Sequence, residues 1–492
     1  MLNRPFQRTL LTLAIVVVGL GVLTSDRPMA GGEIDALAGG GALVDALFEE
    51  KRPPEERLQA GFLVDRDHPR ARDFARQRPW RRHLADPPLA RWAAGLAILV
   101  APSSVSDRTA AHWMACLLLA LAALVASWLG GPRDLLIGGA TLASAAALDA
   151  AGGASAAAVA ALSMAGLLWA LQRLVQRRRG ALVVGVIWGM LLAYHPGALF
   201  LVVPIFATVA IAWQGSSGSR PGALSLPAIP PALLVTPVIA VLVLIAIWPT
   251  LWTETGRGLA IWMTDAWWAV SPDQTVGGQF YHQAGSRAPQ AFTATLQWLV
   301  WTPWPVLLAW VAGLVVTVRQ GRAGLWSPVL VLVTVLLVGG ADGGLFGARR
   351  SLLAWLWVPT AVTASLGFRL LDRRAAIATV TACLAWALLV DPWGASAVGA
   401  EARGAAPIGQ LQAIGDAQPR ARVHVASRVP GQRHAIETLR WRDALDVHWA
   451  DPDDAEWSVI LGEAPGEGWW SGSEPEWTGQ VAGVPARRYR RR

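Results

Sequence analysis

The sequence predicts an all-α polytopic membrane protein of about eleven transmembrane helices, followed by a small mixed α/β domain. Three observations predict it. Only 15% of the 492 residues are charged, where a soluble globular chain carries about 25%. Hydrophobic residues make up 54% of the chain, and they are gathered into repeated apolar runs. After Val390 the apolar density falls, and strand-like pieces at Arg422–Ser427 and Trp457–Gly462 mark a domain over residues 391–492.

The net charge of +8 does not point to nucleic acid. Arginines in short loops, without interleaved aromatics, are the ordinary signature of the cytoplasmic side of a membrane protein. Of the 42 basic residues only Lys51 is a lysine, a bias read as genomic composition. Cys116 and Cys383 both fall inside apolar runs and read as packed thiols, because no Cys/His cluster has ligand spacing. The 27 tryptophans fit interfacial belts on a protein with many spans.

Taken in order, Arg4 and Arg8 precede the run Leu10–Leu23, which is expected to be an uncleaved first helix entering from the cytoplasm. A polar stretch, Asp26–Pro88, then lies outside. The runs Leu89–Pro102, Thr109–Leu129, Leu135–Ala150, Ala154–Val175, Ala181–Tyr194 and Ala198–Trp213 follow. If all of them crossed, Arg177-Arg178-Arg179 would fall outside, against the charge rule. Treating Leu89–Pro102 as an interfacial or re-entrant helix restores the rule, and its Arg91, Trp92 and closing proline favour that choice. Residues 214–231 form a Gly/Ser/Pro-rich linker. The later spans are Ala232–Trp248, Thr293–Val318, Leu325–Val338, Ser351–Phe368 and Ala375–Val390. Residues 1–390 thus form the membrane domain, with outer loops at 26–88 and 249–292. The arginine tail (Arg487, Arg488, Arg490, Arg491, Arg492) is expected outside with the C-terminal domain, since long tails cross largely regardless of charge.

With that topology the acidic and histidine residues of interest share one face. Glu33 and Asp35 follow the first helix; a partly desolvated carboxylate there suits a general base acting on a hydroxyl, and a solvated acidic loop is the plain alternative. In Asp86-Pro87-Pro88-Leu89 the prolines stiffen the entry to a helix, where Asp86 is either a cap or a ligand contact. Trp248-Pro249-Thr250-Leu251-Trp252 opens the second long outer loop, in which Gly277-Gly278-Gln279-Phe280-Tyr281-His282 and Arg287 suit a sugar or prenyl-chain site. Asp342, Arg349 and Arg350 stand at the outer end of a span, against the charge bias. A guanidinium pair there suits phosphate or pyrophosphate, with anchoring to lipid headgroups as the alternative. His195, at an outer turn, is a further phosphate candidate or a helix-end histidine.

In this order the motifs resemble those of the bacterial GT-C-fold glycosyltransferases, which include protein O-mannosyltransferases and the lipid A aminoarabinose transferase. The matching stretches are Glu33/Asp35 in the first outer loop, Asp86-Pro87-Pro88-Leu89, Trp248–Trp252, Thr302-Pro303-Trp304-Pro305-Val306-Leu307-Leu308, and Asp342 to Arg350. They extend over nearly the whole chain. Two differ from the family pattern: Glu33-Ile34-Asp35 replaces an adjacent Asp-Glu pair, and Asp86 replaces the histidine before Pro-Pro. Asp149 is the nearest match to a further outer aspartate of the family.

The resemblance implies inverting transfer of a sugar from a polyprenyl-phosphate donor to an acceptor hydroxyl on a lipid, glycan or protein. Asp35 or Glu33 would be the base. Arg349 or Arg350, with His195 or a divalent cation (Mg or Mn), would hold the phosphate. It further implies a multi-pass protein of a bacterial inner membrane, in contact with membrane lipid and with its active face toward the periplasm; no nucleic acid is expected as a partner. Two other readings compete: a catalytically impaired relative with a scaffold role in envelope assembly, and a lipid or glycan transporter. Transport calls for ionisable residues or broken helices at mid-membrane, whereas here the charges gather at one face.

Overall fold

The computed structural model describes residues 4–24, 88–102, 107–130, 156–177, 179–194, 196–214, 231–248, 250–253, 302–341, 356–372, 421–427, 447–449, 453–461, 473–481 and 484–491. A few single residues between these stretches are described in part. The helices are α1 (Arg4–Thr24), α2 (Pro88–Val100), α3 (Asp107–Gly130), α4 (Ala156–Arg177), α5 (Ala181–Leu192), α6 (Val202–Gln214), α7 (Pro231–Ile247), the single turn α8 (Thr250–Thr253), α9 (Trp304–Gln320), α10 (Ala323–Ala341) and α11 (Val358–Phe368). The stretches Thr109–Leu129 and Ala157–Arg177 are long and apolar enough to cross a membrane, and shorter apolar helices accompany them. The expected span Leu135–Ala150 lies, apart from Thr141, outside the described residues.

Prolines account for where the helices depart from the apolar runs. The run Thr293–Val318 does not make one helix: α9 begins only at Trp304, because Pro303 and Pro305 cannot donate within a helix and set its N-terminus. Of the run from Ser351, the described residues open with a π-helical turn at Leu356 and Trp357 and continue as α11 from Val358, with Pro359 in its first turn. The run Ala198–Trp213 opens as a 3-10 helix, Pro196–Leu201, before α6.

Glycines let two helix pairs approach to backbone contact. Along α5, a Cβ on Gly185 would lie 2.8 Å from the Ile239 Cβ and 2.9 Å from the Thr236 carbonyl, and one on Gly189 would lie 2.6 Å from the Ala240 carbonyl. Both glycines face α7, in rising order along both helices, so α5 and α7 run parallel. Where α9 crosses α11, Gly313 and Gly367 present bare backbone to the Thr363 and Ala309 carbonyls. This is the small-residue packing used between helices that lack a hydrophobic driving force in lipid. Every residue of α11 is buried. Its Thr363 and Ser365 hydroxyls donate to carbonyls of their own helix at 3.0 and 2.6 Å, and Thr360 donates to the Leu356 carbonyl of the preceding π turn at 2.6 Å, so the buried helix carries satisfied polar groups.

The contacts order the bundle into two ends. The α4–α5 turn at Gly180 marks one, which carries Arg177 and Arg179. Gly324, at the start of α10, meets Gln172 and Val175 of α4, so the α9–α10 turn with Arg319 and Arg322 lies at this same arginine end. The opposite end receives Ala193 and Tyr194 after α5, and Trp248 after the parallel α7.

The C-terminal part forms one five-stranded sheet: β1 (Ala421–Ser427), β2 (Val447–Trp449), β3 (Trp457–Leu461), β4 (Trp477–Val481) and β5 (Val484–Arg490), in the order β2-β1-β3-β5-β4. β1 pairs parallel with β2 and β3, while β5 pairs antiparallel with β3 and β4. The arginine-rich end of the chain is therefore not a free tail. Arg487, Arg488 and Arg490 belong to an interior strand, and the Arg488 and Arg490 guanidiniums lie over the Trp457 ring at 5.5 and 5.1 Å. The Trp457 indole N–H donates to Gln418 Oε1 at 3.0 Å, Gln418 Nε2 donates to Glu456 at 2.7 Å, and Arg422 pairs with Glu456 at 3.1 Å.

Candidate functional site

All nine residues singled out for chemistry (Glu33, Asp35, Asp86, His195, His282, Arg287, Asp342, Arg349 and Arg350) lie outside the described residues. The structure does define the frame they are attached to. Four stretches contain them, 25–87, the single residue 195, 254–297 and 342–355, apart from scattered described positions such as Leu259.

Each of these stretches opens or closes at the end opposite the arginines. Residue 195 follows Tyr194, which closes α5; the stretch from 254 follows Trp248 and α8, which close α7. The first stretch ends at Pro88, and α2 is docked at this same end by its first turn. Its Leu89 N–H donates to the Ala193 carbonyl at 3.4 Å, and its Trp92 indole N–H donates to the Ile247 carbonyl at 2.8 Å. Asp86 thus stands three positions before a residue bonded to Ala193, and His195 two positions after Ala193. The last stretch leaves α10 after Ala341 and re-enters at Leu356. Because α10 starts at the arginine end, Ala341 is at the other.

A tryptophan network braces this loop end. The Trp298 indole N–H donates to Thr360 Oγ1 at 2.8 Å, which in turn donates to the Leu356 carbonyl. Trp310 packs edge-on against Trp298 at 5.1 Å between ring centroids. The network joins the segment that returns from the second outer loop to the π turn that follows Arg349 and Arg350. Trp188 donates to the Ala198 carbonyl at 2.7 Å and fixes the turn around residue 195. Trp252 donates to the Ile245 carbonyl at 2.9 Å beside the Trp92 contact. Sequence reasoning read these tryptophans as interfacial belts. The available signal was their position near the motif stretches and an indole N–H that seeks a carbonyl or hydroxyl in apolar surroundings, as those of Trp92, Trp188, Trp252 and Trp298 do.

The Trp92 bond carries a prediction. Trp92→Phe removes the donor while keeping most of the apolar volume, at a cost of about 1 kcal/mol. The protein is expected to remain folded with a slightly lowered Tm. Activity is expected to fall by more than the Tm shift explains, because α2 holds the exit of the first loop. Thermal unfolding and activity measured on the same preparation check this.

No protein-family model matches the chain, and no curated protein matches it. Among solved structures it is similar to ArnT from Cupriavidus metallidurans, determined bound to undecaprenyl phosphate, with a TM-score of 0.52 and 11% sequence identity. The likeness covers 97% of this chain and 97% of that one. The chain has a GT-C fold. At this identity the likeness speaks for the fold, and it extends through the bundle and the C-terminal sheet alike. A GT-C fold is a polytopic membrane fold, in accord with the apolar helices.

Proposed function

We propose that this GT-C protein transfers a sugar from a polyprenyl-phosphate-linked donor to an acceptor hydroxyl on the extracytoplasmic side of a bacterial inner membrane. The observation that carries the reading is the convergence at the loop end: all four stretches bearing the candidate residues meet the bundle there, away from the arginine end. The positive-inside rule assigns the arginine end to the cytoplasm. The solved neighbour with this fold was bound to undecaprenyl phosphate, which supports a polyprenyl phosphate as the donor's carrier.

In this reading Asp35 or Glu33 takes the proton from the acceptor hydroxyl as its oxygen attacks the anomeric carbon of the sugar. The bond from that carbon to the phosphate oxygen breaks, and the polyprenyl phosphate leaves with both electrons. Inversion follows from the single displacement. Arg349 and Arg350, with His195, hold the phosphate and stabilise the charge that grows on it. Asp86, His282, Arg287 and Asp342 shape the sugar and acceptor sites. A divalent cation, Mg or Mn, is proposed as an aid to the leaving group. These roles are the same for a mannose-like sugar and for any other.

A second reading has a specific observation in its favour. Glu33-Ile34-Asp35 separates the acidic pair by one residue, and Asp86 stands in place of histidine. A chain that kept donor binding but lost the base would serve as a scaffold in envelope assembly. One experiment separates the two. Arg349→Gln with Arg350→Gln is expected to raise the KM for a polyprenyl-phosphate sugar at least tenfold, since each charged hydrogen bond lost costs about 1.5–3 kcal/mol. A KM that does not move would remove these arginines from the donor site. Donor binding without any turnover in the parent protein would favour the scaffold.

A further inference from the structure

The arginine end carries a feature that sugar transfer does not use. Arg319 closes α9, Arg322 stands in the turn before α10, and Arg369 caps α11; all three are exposed. Partial burial first, and then the nearby Arg322 charge, lower the Arg369 pKa from its ordinary value. Among the described residues none of the three has a carboxylate partner. The ion pairs Arg422–Glu456 and Arg488–Glu476 both belong to the C-terminal sheet, and the Asp372 carboxylate accepts the Ala375 N–H at 2.7 Å.

Helix dipoles account for Arg319 and Arg369, which stand at helix C-termini where a cation is favoured. They do not account for Arg322, which precedes a helix, where a cation is disfavoured. The adjoining surface is apolar and open. Val315, Val318 and Leu370 are 45%, 63% and 66% exposed, and nothing lies within 4 Å of where a Cβ on Gly321 would point. Cations at the rim above exposed aliphatic side chains reproduce the amphipathic profile of a phospholipid, with the headgroup at the rim and the acyl chains along α9.

We propose that the α9–α10 turn and the end of α11 bind the phosphodiester headgroup of an anionic phospholipid, with Arg319, Arg322 and Arg369 as its partners. The site fits a phospholipid rather than free phosphate because the apolar strip below the arginines is part of it. It stands independently of the sugar-transfer reading, and its loss is expected to act through stability.

The test uses the full chain in nanodiscs of phosphatidylcholine alone or with added phosphatidylglycerol, read by native mass spectrometry of retained lipid and by Tm. The parent protein is expected to retain phosphatidylglycerol preferentially and to gain Tm from it. Arg322→Gln with Arg369→Gln is expected to weaken that retention about fivefold per arginine, and the corresponding lysine pair to keep most of it. Inorganic phosphate at the same concentration is expected to give no protection. Equal retention of the two lipids by the parent protein overturns the proposal whichever variants fold. So does full retention in the glutamine pair, and equal protection by inorganic phosphate would make the site a free-anion site.

Discussion

Removing the base, by Asp35→Asn or by Glu33→Gln, is expected to lower sugar transfer by about 10²–10⁴ while leaving protein level and donor binding unchanged. An acceptor hydroxyl is a poor nucleophile until a carboxylate takes its proton, and asparagine keeps the shape of aspartate without its basicity. Glu33→Gln makes the same change two residues earlier, on the opposite side of Ile34. The two variants are expected to differ: one abolishes transfer and names the base, and the other leaves it within an order of magnitude. Transfer rates in membranes, normalised to folded protein, decide between them. If both variants transferred like the parent, the base would have to be sought elsewhere, with Asp86 next in line.

A comparably large effect is expected on the fold itself. Gly367→Leu is expected to eliminate the folded protein, and Gly367→Ala to reduce it severely. A Cβ at this position would collide with the Ala309 carbonyl oxygen, and one on Gly313 with the Thr363 carbonyl oxygen. Neither obstacle is a flexible side chain. Both are helix backbone, and relief requires parting α9 from α11, whose residues are all buried. Overpacking a tight core costs about 1–3 kcal/mol and sometimes more, and a backbone collision belongs at the top of that range. Gly166→Ala is the control: its Cβ would meet only the Ile187 side chain, at 3.4 Å. Size-exclusion profiles of the purified proteins are expected to show a monodisperse control and little or no monodisperse Gly367→Leu protein.

Much of the bundle was legible because burial in lipid leaves a coarse, robust signal. The runs Thr109–Leu129 and Ala181–Tyr194 anticipate α3 and α5 within two residues at each end. Their limits were less legible where proline intervened. Apolar content does not distinguish a residue inside a helix from one before it, so Thr293–Val318 ran straight through Pro303. In the C-terminal sheet the Val/Ile-rich strands β1 and β3 were readable. β5 was not, because its arginines resemble a solvated tail until Trp457 is seen beneath them. The glycine contacts stayed hidden for a related reason, since glycine in an apolar run reads as neutral filler while its packing role depends on a partner distant in sequence. The candidate residues were legible by type and order. The charge rule also put them on one face; what stayed hidden is the bracing of that end, because the bonds of α2 to Ala193 and Ile247 are encoded by no local pattern.

The measurement closest to the central claim is release of polyprenyl phosphate from a panel of labelled polyprenyl-phosphate sugars by the purified protein in lipid, with an acceptor extract present. The account predicts sugar transferred and polyprenyl phosphate released in equal amounts from at least one donor. It also predicts that both are lost together in the inactive member of the Asp35→Asn and Glu33→Gln pair. Tight binding of the donors with no release from any of them would contradict it and make the chain a GT-C scaffold.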